Sequence, residues 1–476
     1  MRYIILSMLF IFTTLVADEY SDWLNSQNSQ FNNYKKTIDD EFQDMLKKDW
    51  KAFQTQNNRS SFVKPKPRII PRVKKEIVLP KKELKISKKV KAPKIVKQII
   101  KEPEVVIDKD ILKDGYSDIR FDFYGQDISI QYDEKYNFEL DSIDKNSISD
   151  VWKNLSKADF KTLDKQIVQY SKLYNLNDWA KYLLIYNIGQ NIYHDKNKVN
   201  LFTWYILVKM GYDTKVGYNS HKIYLMSKVK ENLYQVSFFT LEGAKYYILT
   251  PKGRVSSVGA IYTYASNYPN ATKALDFDMN NKAIKIYTNK MIKELEFEYL
   301  SKNYKVKVAY SKDLINFYKT FPQSQYNLYF NAKKSPLIAN TLLAQLKPLI
   351  SDKSEIEAVN LLLRFVQKSF RYKTDEEQFH YEKVLFPEET VYYPYSDCED
   401  RSIIFAYLVK KLLGLDVVGL KYSDHLASAV HFSTPVDGDS FVFDGKRYTV
   451  SDPTYINANV GMTMPQYKNS QFKIIK

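Results

Sequence analysis

Two segments of this chain place apolar residues at every second position. They are Leu295-Glu-Phe297-Glu-Tyr299 and Tyr304-Lys-Val306-Lys-Val308-Ala-Tyr310. That is the period of half-buried strands, and residues 280–332 read mostly as strands. Elsewhere the period is helical. Phe31, Tyr34, Ile38, Phe42, Met45, Trp50 and Phe53 form a stripe that predicts an amphipathic helix from about 25 to 56. Ser354-x-x-Glu357 opens a second helix, with Ile356, Val359, Leu363, Val366 and Phe370 along one side. Ser396-x-x-Glu399 has the same capping pattern ahead of Ile403 to Val409, with Gly414 as the stop. Strands are expected around 425–432 and 446–452. The mixture predicts an α+β fold.

The stripe at 25–56 needs a surface to bury against: a second copy, a partner, or the folded body. A helix lying on a membrane is disfavoured, because its polar face carries both signs of charge. Ahead of it, Met1-Arg2 precedes the apolar run Tyr3 to Val16 and then Ala17-Asp18. One basic residue, a short apolar core and a small residue predict a secretory signal over 1–17 and an exported, periplasmic or secreted protein. Leu15 at the −3 position leaves an uncleaved anchor as the alternative.

Charge changes the picture only after it is located. Of the formal +16, Lys64 to Lys101 contributes 15 Lys/Arg against two Glu, leaving about +3 for the rest. With Pro65, Pro67, Pro71, Pro80 and Pro93 inside it, the segment is expected to be an unfolded spacer over 61–112. Its charge suits an anionic cell-envelope surface. Nucleic acid is disfavoured, since no aromatic residue interleaves the charges.

The chain has one cysteine, Cys398, so an internal disulfide is excluded. Its place in the first turn of a helix favours a thiolate, and the charges of Asp397, Glu399, Asp400 and Arg401 argue against a core position. A thiolate nucleophile needs a base and a group that orients it. Of the five histidines (194, 221, 380, 425, 431), His425 opens a strand, and Asp452 ends the strand from Arg447. Antiparallel pairing with Phe432 opposite Gly445 puts His425 opposite Asp452, with Cβ atoms ~5 Å apart. His431 lies about 20 Å further along the strand. His380, in an expected loop, is the weaker rival. No metal or phosphate motif of usual spacing occurs, so no cofactor or metal is expected. The acids at Asp375 to Glu377 are read as a solvated loop, with a calcium site as the alternative.

Ser396-Asp-Cys398-Glu-Asp-Arg-Ser, Asp424-His425-Leu-Ala-Ser-Ala-Val and Ser451-Asp452-Pro453-Thr454 resemble the transglutaminase-like superfamily of cysteine enzymes. The resemblance covers about 340–460. It implies a papain-like triad of Cys398, His425 and Asp452 and action on protein or peptide amides, by hydrolysis or by transfer to an amine. The family's His-x-Trp reads His425-Leu426-Ala427 here, so the wall beside the histidine is expected to be less aromatic. The whole chain resembles exported bacterial proteins of that superfamily.

An earlier stretch echoes this one. Gly211 to Gly217 parallels Gly414 to Gly419, His221 parallels His425, and Gly243 to Pro251 parallels Gly445 to Pro453. Without gaps, Asp195 falls opposite Cys398. The expected organisation is therefore a helical segment at 18–60, the spacer, a degenerate transglutaminase-like copy at 113–265, a β-rich domain at 266–335 and a catalytic domain at 336–476. The expected activity is an exported cysteine hydrolase or acyltransferase, the oxyanion held by the Cys398 N–H and a donor among Gln378, Tyr392, Tyr393 and Tyr395. The competing reading is a non-catalytic envelope scaffold or binding protein.

Overall fold

The computed structural model describes residues 22–58 (except 28 and 31–32), 70–94 (except 77, 79–86 and 92) and 113–476 (except 256–257). The signal segment lies outside the described residues. Among those described, no helix is long and apolar enough to cross a membrane. The chain is mixed helix and sheet, as an α+β reading requires.

The helical stripe near the N-terminus packs on the folded body. Residues 33–46 are helical, and Ile38, Phe42 and Leu46 are buried. The Phe42 ring sits 4.6 Å from Trp152, 5.3 Å from Tyr268 and 6.0 Å from Tyr264, centre to centre. Asp39 binds Lys209 at 2.9 Å beneath that contact. The expected continuation to residue 56 is wrong. After Lys48 the chain becomes strand β1 (Trp50–Gln54), then β2 (Gln56–Asn57). Trp50 and Phe53 fit a helical stripe, but partner strands were available and sequence periodicity does not show them.

Those partners belong to a seven-stranded sheet. A hairpin, β3 (Tyr116–Asp122) and β4 (Asp127–Asp133), and a run of helices lead into β5 (Thr214–Tyr218), β6 (Ile223–Lys228), β7 (Ser237–Leu241), β8 (Ala244–Leu249) and β9 (Ala260–Tyr264). The sheet order is β1-β9-β5-β6-β8-β7-β2. Only Thr55 separates β1 from β2, yet they occupy opposite edges. The sheet therefore curls until its edges meet, which removes most of its free edge. Met226, Phe239, Tyr246, Ile248 and Ile261 fill a small core of their own on one face.

A second hairpin follows, β10 (Lys290–Tyr299) and β11 (Lys302–Ser311), in the alternation the sequence shows. Leu295, Phe297, Val306 and Val308 face inward, while Lys305 bridges Glu294 and Glu296 on the wet side. Leu300 and Ser301 both take positive φ, as a two-residue hairpin turn of matching twist requires. This hairpin packs with the elements that follow it. Residues 312–318 and 326–331 are helical, and Phe297 packs 5.5 Å from Phe365 on the helix Glu355–Ser369. Two strands cannot hold a core alone. The main apolar core runs unbroken from Phe42 to Val460.

Two short parallel strands, β12 (Arg371–Tyr372) and β13 (Tyr395–Ser396), precede the helix Cys398–Leu413. Then come β14 (Asp416–Lys421), β15 (Leu426–His431), β16 (Ser440–Phe443), β17 (Lys446–Val450) and β18 (Lys473–Ile475). Their order is β16-β17-β15-β14-β18. Counting from the first strand of each set, both this sheet and the central five strands of the earlier one run 5-1-2-4-3. Each set also follows a hairpin and a run of helices. The same wiring occurs twice in one chain, matching the echoes in the sequence.

Of the expected unfolded spacer, residues 61–69, 77, 79–86, 92 and 95–112 lie outside the described residues, and the described rest departs from that expectation. At the described positions it docks: Val73 N–H donates to Ile456 O (3.0 Å), and the Glu355 N–H donates to Lys88 O (2.8 Å). Glu76 meets Lys368 at 2.8 Å and Arg364 at 3.3 Å. Net charge and proline spacing say little when two apolar residues, Ile70 and Val73, and one glutamate find matching sites.

Replacing Phe42 by alanine is expected to cost about 3–5 kcal/mol of stability, the usual range for a buried aromatic ring. Urea denaturation of the full chain measures it. A loss under 1 kcal/mol would mean that the N-terminal helix is not docked.

Candidate active site

The site begins at a helix N-terminus. The capping residue is Asp397, not Ser396. Asp397 N–H donates to Asp400 Oδ2 at 3.2 Å, so Asp400 plays the part expected of Glu399. Cys398 is the first residue of the helix, which runs 16 residues to Leu413 and stops at Gly414 with φ +70°. Displacing the cap by one residue frees Ser396, whose hydroxyl accepts from Arg401 Nε at 3.2 Å.

Every side chain in this first turn is buried, including those expected to keep Cys398 near water. Cys398 is 1% exposed, Asp397, Glu399 and Asp400 0%, and Arg401 1%. The helix is buried on all sides, so its charged start had to be enclosed as well. Asp400 Oδ1 accepts from Leu385 N–H at 2.8 Å, and Arg401 Nη2 donates to Phe370 O at 2.5 Å. Burial pulls the Arg401 guanidinium down to about 10, against the charges of Tyr372, Asp397, Asp400 and Cys398. It therefore remains a cation beside the thiol at neutral pH. The thiol itself donates to Glu399 Oε2 at 3.1 Å, a partner the sequence reading did not assign.

His425 precedes β15, and its Nε2 meets Asp452 Oδ2 at 2.9 Å, both side chains buried. The pairing was expected, but the register was not. Ala429 faces Val450 and Val430 faces Thr449, two residues away from the assumed alignment. The expected loop 433–444 contains β16, and Asp444-Gly445 forms the tight turn into β17. A two-residue shift keeps every side chain on its face. Asp452 lies past the end of β17, where it caps its own turn: Oδ1 accepts from Thr454 N–H (2.8 Å) and Tyr455 N–H (3.3 Å). That leaves Oδ2 for the imidazole.

The helix start and the histidine are held together one turn in. Ser402, four residues after Cys398, donates to Leu426 O at 2.9 Å, the residue after His425. Tyr467 covers the histidine. Its ring stacks on His425 at 4.9 Å and 14°, and burial drives its hydroxyl far above the usual range, helped by Asp424, Cys398 and Asp452. Tyr422 adds a second ring, 4.8 Å from Tyr467. The wall beside the histidine is thus aromatic, contrary to expectation. The rings come from Tyr422, before the histidine, and from Tyr467 in the C-terminal segment, so His425-Leu426-Ala427 carries no sign of either. Tyr422 also lines a cleft of about 300 Å³ with Lys421, Ser423, Gln471, Phe472 and Lys473.

The remaining candidates separate. His194, His221 and His380 are exposed, and His380 closes a short helix at φ +62° where a loop was expected. His431 binds Arg447 O at 2.9 Å, away from the helix start. Asp195 caps the helix Lys196–Lys209, so it matches Asp397 rather than Cys398, and Lys196 stands at the cysteine's place. Tyr392 accepts from Lys312, which holds its hydroxyl below the usual range. Gln378 Nε2, one turn after Asp375, is buried with no hydrogen-bond partner among the described residues.

Asp375 corrects the solvated-loop reading. It is 2% exposed and accepts from Lys383 N–H at 2.7 Å. Oxygens of Asp375, Asp397 and Glu399 lie within 4.8 Å of one another. Three enclosed carboxylates at that spacing suit a shared proton or a divalent cation. Distance in sequence, 22 residues from Asp375 to Asp397, hid the group.

No family model, curated protein or solved structure matches this chain.

Asp452→Ala strands the imidazole and two backbone N–H groups in a dry site and is expected to cost about 2–4 kcal/mol. Asp452→Asn keeps an acceptor for Thr454 and Tyr455 and should cost less than half of that. The two unfolding curves, compared at pH 7, check this.

Proposed function

We propose that this chain is a cysteine enzyme of transglutaminase-like type, exported from the cell, that cleaves or transfers protein or peptide amides. The observation that carries the reading is the buried His425–Asp452 bond of 2.9 Å, set beside a helix that begins with the chain's single thiol. Asp452 takes Nε2, so Nδ1 of His425, buried and with no hydrogen-bond partner among the described residues, is the nitrogen left for proton transfer. Cys398 attacks the amide carbonyl and its proton passes to His425. The imidazolium is stabilised by Asp452, then returns the proton to the leaving amine. Water or a second amine releases the acyl group.

The developing oxyanion takes the Cys398 N–H, the first of the helix, which points out along the positive end of its dipole. Gln378, with its buried unpaired amide, is the second donor we favour among the four expected. The earlier sheet has Lys196 in place of the thiol and an exposed His221, so in this reading it supports or binds without chemistry. The names given to the three domains belong to this proposal.

One observation favours a second reading. The thiol is enclosed and hydrogen-bonded to Glu399 amid buried acids, as a structural cysteine would be. In that reading the chain is a non-catalytic envelope scaffold or binding protein.

The test is incubation with a mixed peptide library and a fluorescent primary amine, with mass spectrometry reading both hydrolysis and amine incorporation. Cys398→Ala and His425→Ala are expected to abolish turnover, and Asp452→Asn to leave a small residue. His221→Ala should change nothing. Gln378→Ala should lower kcat ~10²–10³-fold. Turnover that survives Cys398→Ala overturns the cysteine mechanism, and no turnover in the unaltered protein favours the scaffold.

A further inference from the structure

The basic N-terminal segment reaches the site through a chain of buried polar contacts. Arg364, on the helix Glu355–Ser369, is 0% exposed. A guanidinium keeps its charge and offers only donors. Its Nη1 donates to Gln367 Oε1 and to Ala458 O (2.9 Å), and Nη2 donates to Asn459 Oδ1 (2.5 Å). All three acceptors are neutral. The carboxylate that meets it is Glu76, 3.3 Å from Nε, an ion pair without a hydrogen bond.

Gln367 carries the contact onward. Because Arg364 only donates, Gln367 must turn its oxygen toward it, which fixes the amide's orientation. The Gln367 nitrogen then points at Asp452 O (3.1 Å) and Ala458 O (3.2 Å), while its oxygen also accepts from Asn457 N–H (3.1 Å). Residues 452–459 are thereby held at four points from one helix face. Asp452 is the residue that grips His425.

The segment also touches that loop directly. Val73 N–H donates to Ile456 O (3.0 Å), and Asn457 Nδ2 donates to Val73 O (3.1 Å). Ile70 and Val73 pack against the cluster that contains Tyr455, Ala458, Met464 and Tyr467. Glu76 is fixed in turn. Its other oxygen accepts from Leu300 N–H (2.7 Å) at the turn of the β10–β11 hairpin, and Lys368 adds a bond of 2.8 Å. Burial would raise this carboxyl, but the Lys368 and Leu300 hydrogen bonds and the two nearby cations outweigh it and hold it below its usual range.

We infer that Glu76 is a positioning residue for the His425–Asp452 pair, acting through Arg364 and Gln367 on the loop that carries Asp452. It rests on the proposed reading of that pair as reactive. The segment Ile70 to Glu76 is then a built part of the site rather than a tether.

The test uses the full chain with Glu76→Gln and Glu76→Asp. One readout is the low-field proton NMR signal of the His425 imidazole N–H, identified by its loss in Asp452→Asn. The other is the rate of Cys398 alkylation by iodoacetamide. Glu76→Gln is expected to weaken or abolish the signal and change the rate at least fivefold. Glu76→Asp should restore both to within twofold. If Glu76→Gln does not fold, adding Arg364→Met removes the uncompensated buried charge. Stability should then return while the signal stays weak.

A lower melting temperature with signal and rate unchanged overturns the proposal, as does a normal signal in the double variant. A wild-type thiol that reacts like a denatured one sinks the catalytic reading instead. The clamp is then judged by the imidazole signal alone.

Discussion

A buried guanidinium that cannot lose its charge organises the C-terminal half of this protein. Arg364 is fully enclosed, and each of its N–H groups must find an oxygen or cost several kcal/mol. Meeting that demand draws in the loop 457–459 and the side chain of Gln367, while Nε, which has no hydrogen-bond partner among the described residues, is met by the charge of a glutamate from 288 residues earlier in the chain. Arg401 makes the same demand on the other side of the site. It is met in part, by Phe370 O at Nη2 and Ser396 at Nε, at the strand pair just before the cysteine, while Nη1 stays buried with no hydrogen-bond partner among the described residues. The two arginines bracket the site and fix where Asp452 and Cys398 stand.

Around them, the burial is polar as much as apolar. The first turn of the Cys398 helix encloses two aspartates, a glutamate and an arginine, and Asp375 joins them from a neighbouring short helix. Such a concentration costs stability unless the groups share protons, cations or hydrogen bonds. Sites where charged groups are enclosed together are where proton affinities move furthest from their usual values.

The two sheets share one strand order but differ in how they are finished. The earlier sheet receives β1 and β2 at its edges and closes on itself. The later one remains open, with exposed β16 at one edge and β18 beside the cleft under Tyr422. The same wiring therefore serves a sealed unit and an accessible one. The difference lies in the N-terminal residues that each recruits: residues 50–57 for the first sheet, residues 70–76 for the loop beside the second.

Local signals determined what depends on neighbours in the chain. The alternation in β10 and β11, the Ser354–Glu357 cap and the Gly414 stop were legible because each is decided within a few residues. The histidine and aspartate were also legible, since a register error of two leaves parity intact. Only the tertiary structure could decide the rest. Asp397 capped the helix instead of Ser396 because Arg401 needed the serine hydroxyl. Residues 50–57 became strands because two open sheet edges stood within reach. Tyr467 came to cover His425, and Glu76 to pair with Arg364, across 42 and 288 residues. Contacts at such separation leave no period or spacing in a sequence, because what selects them is the space left between elements that have already packed.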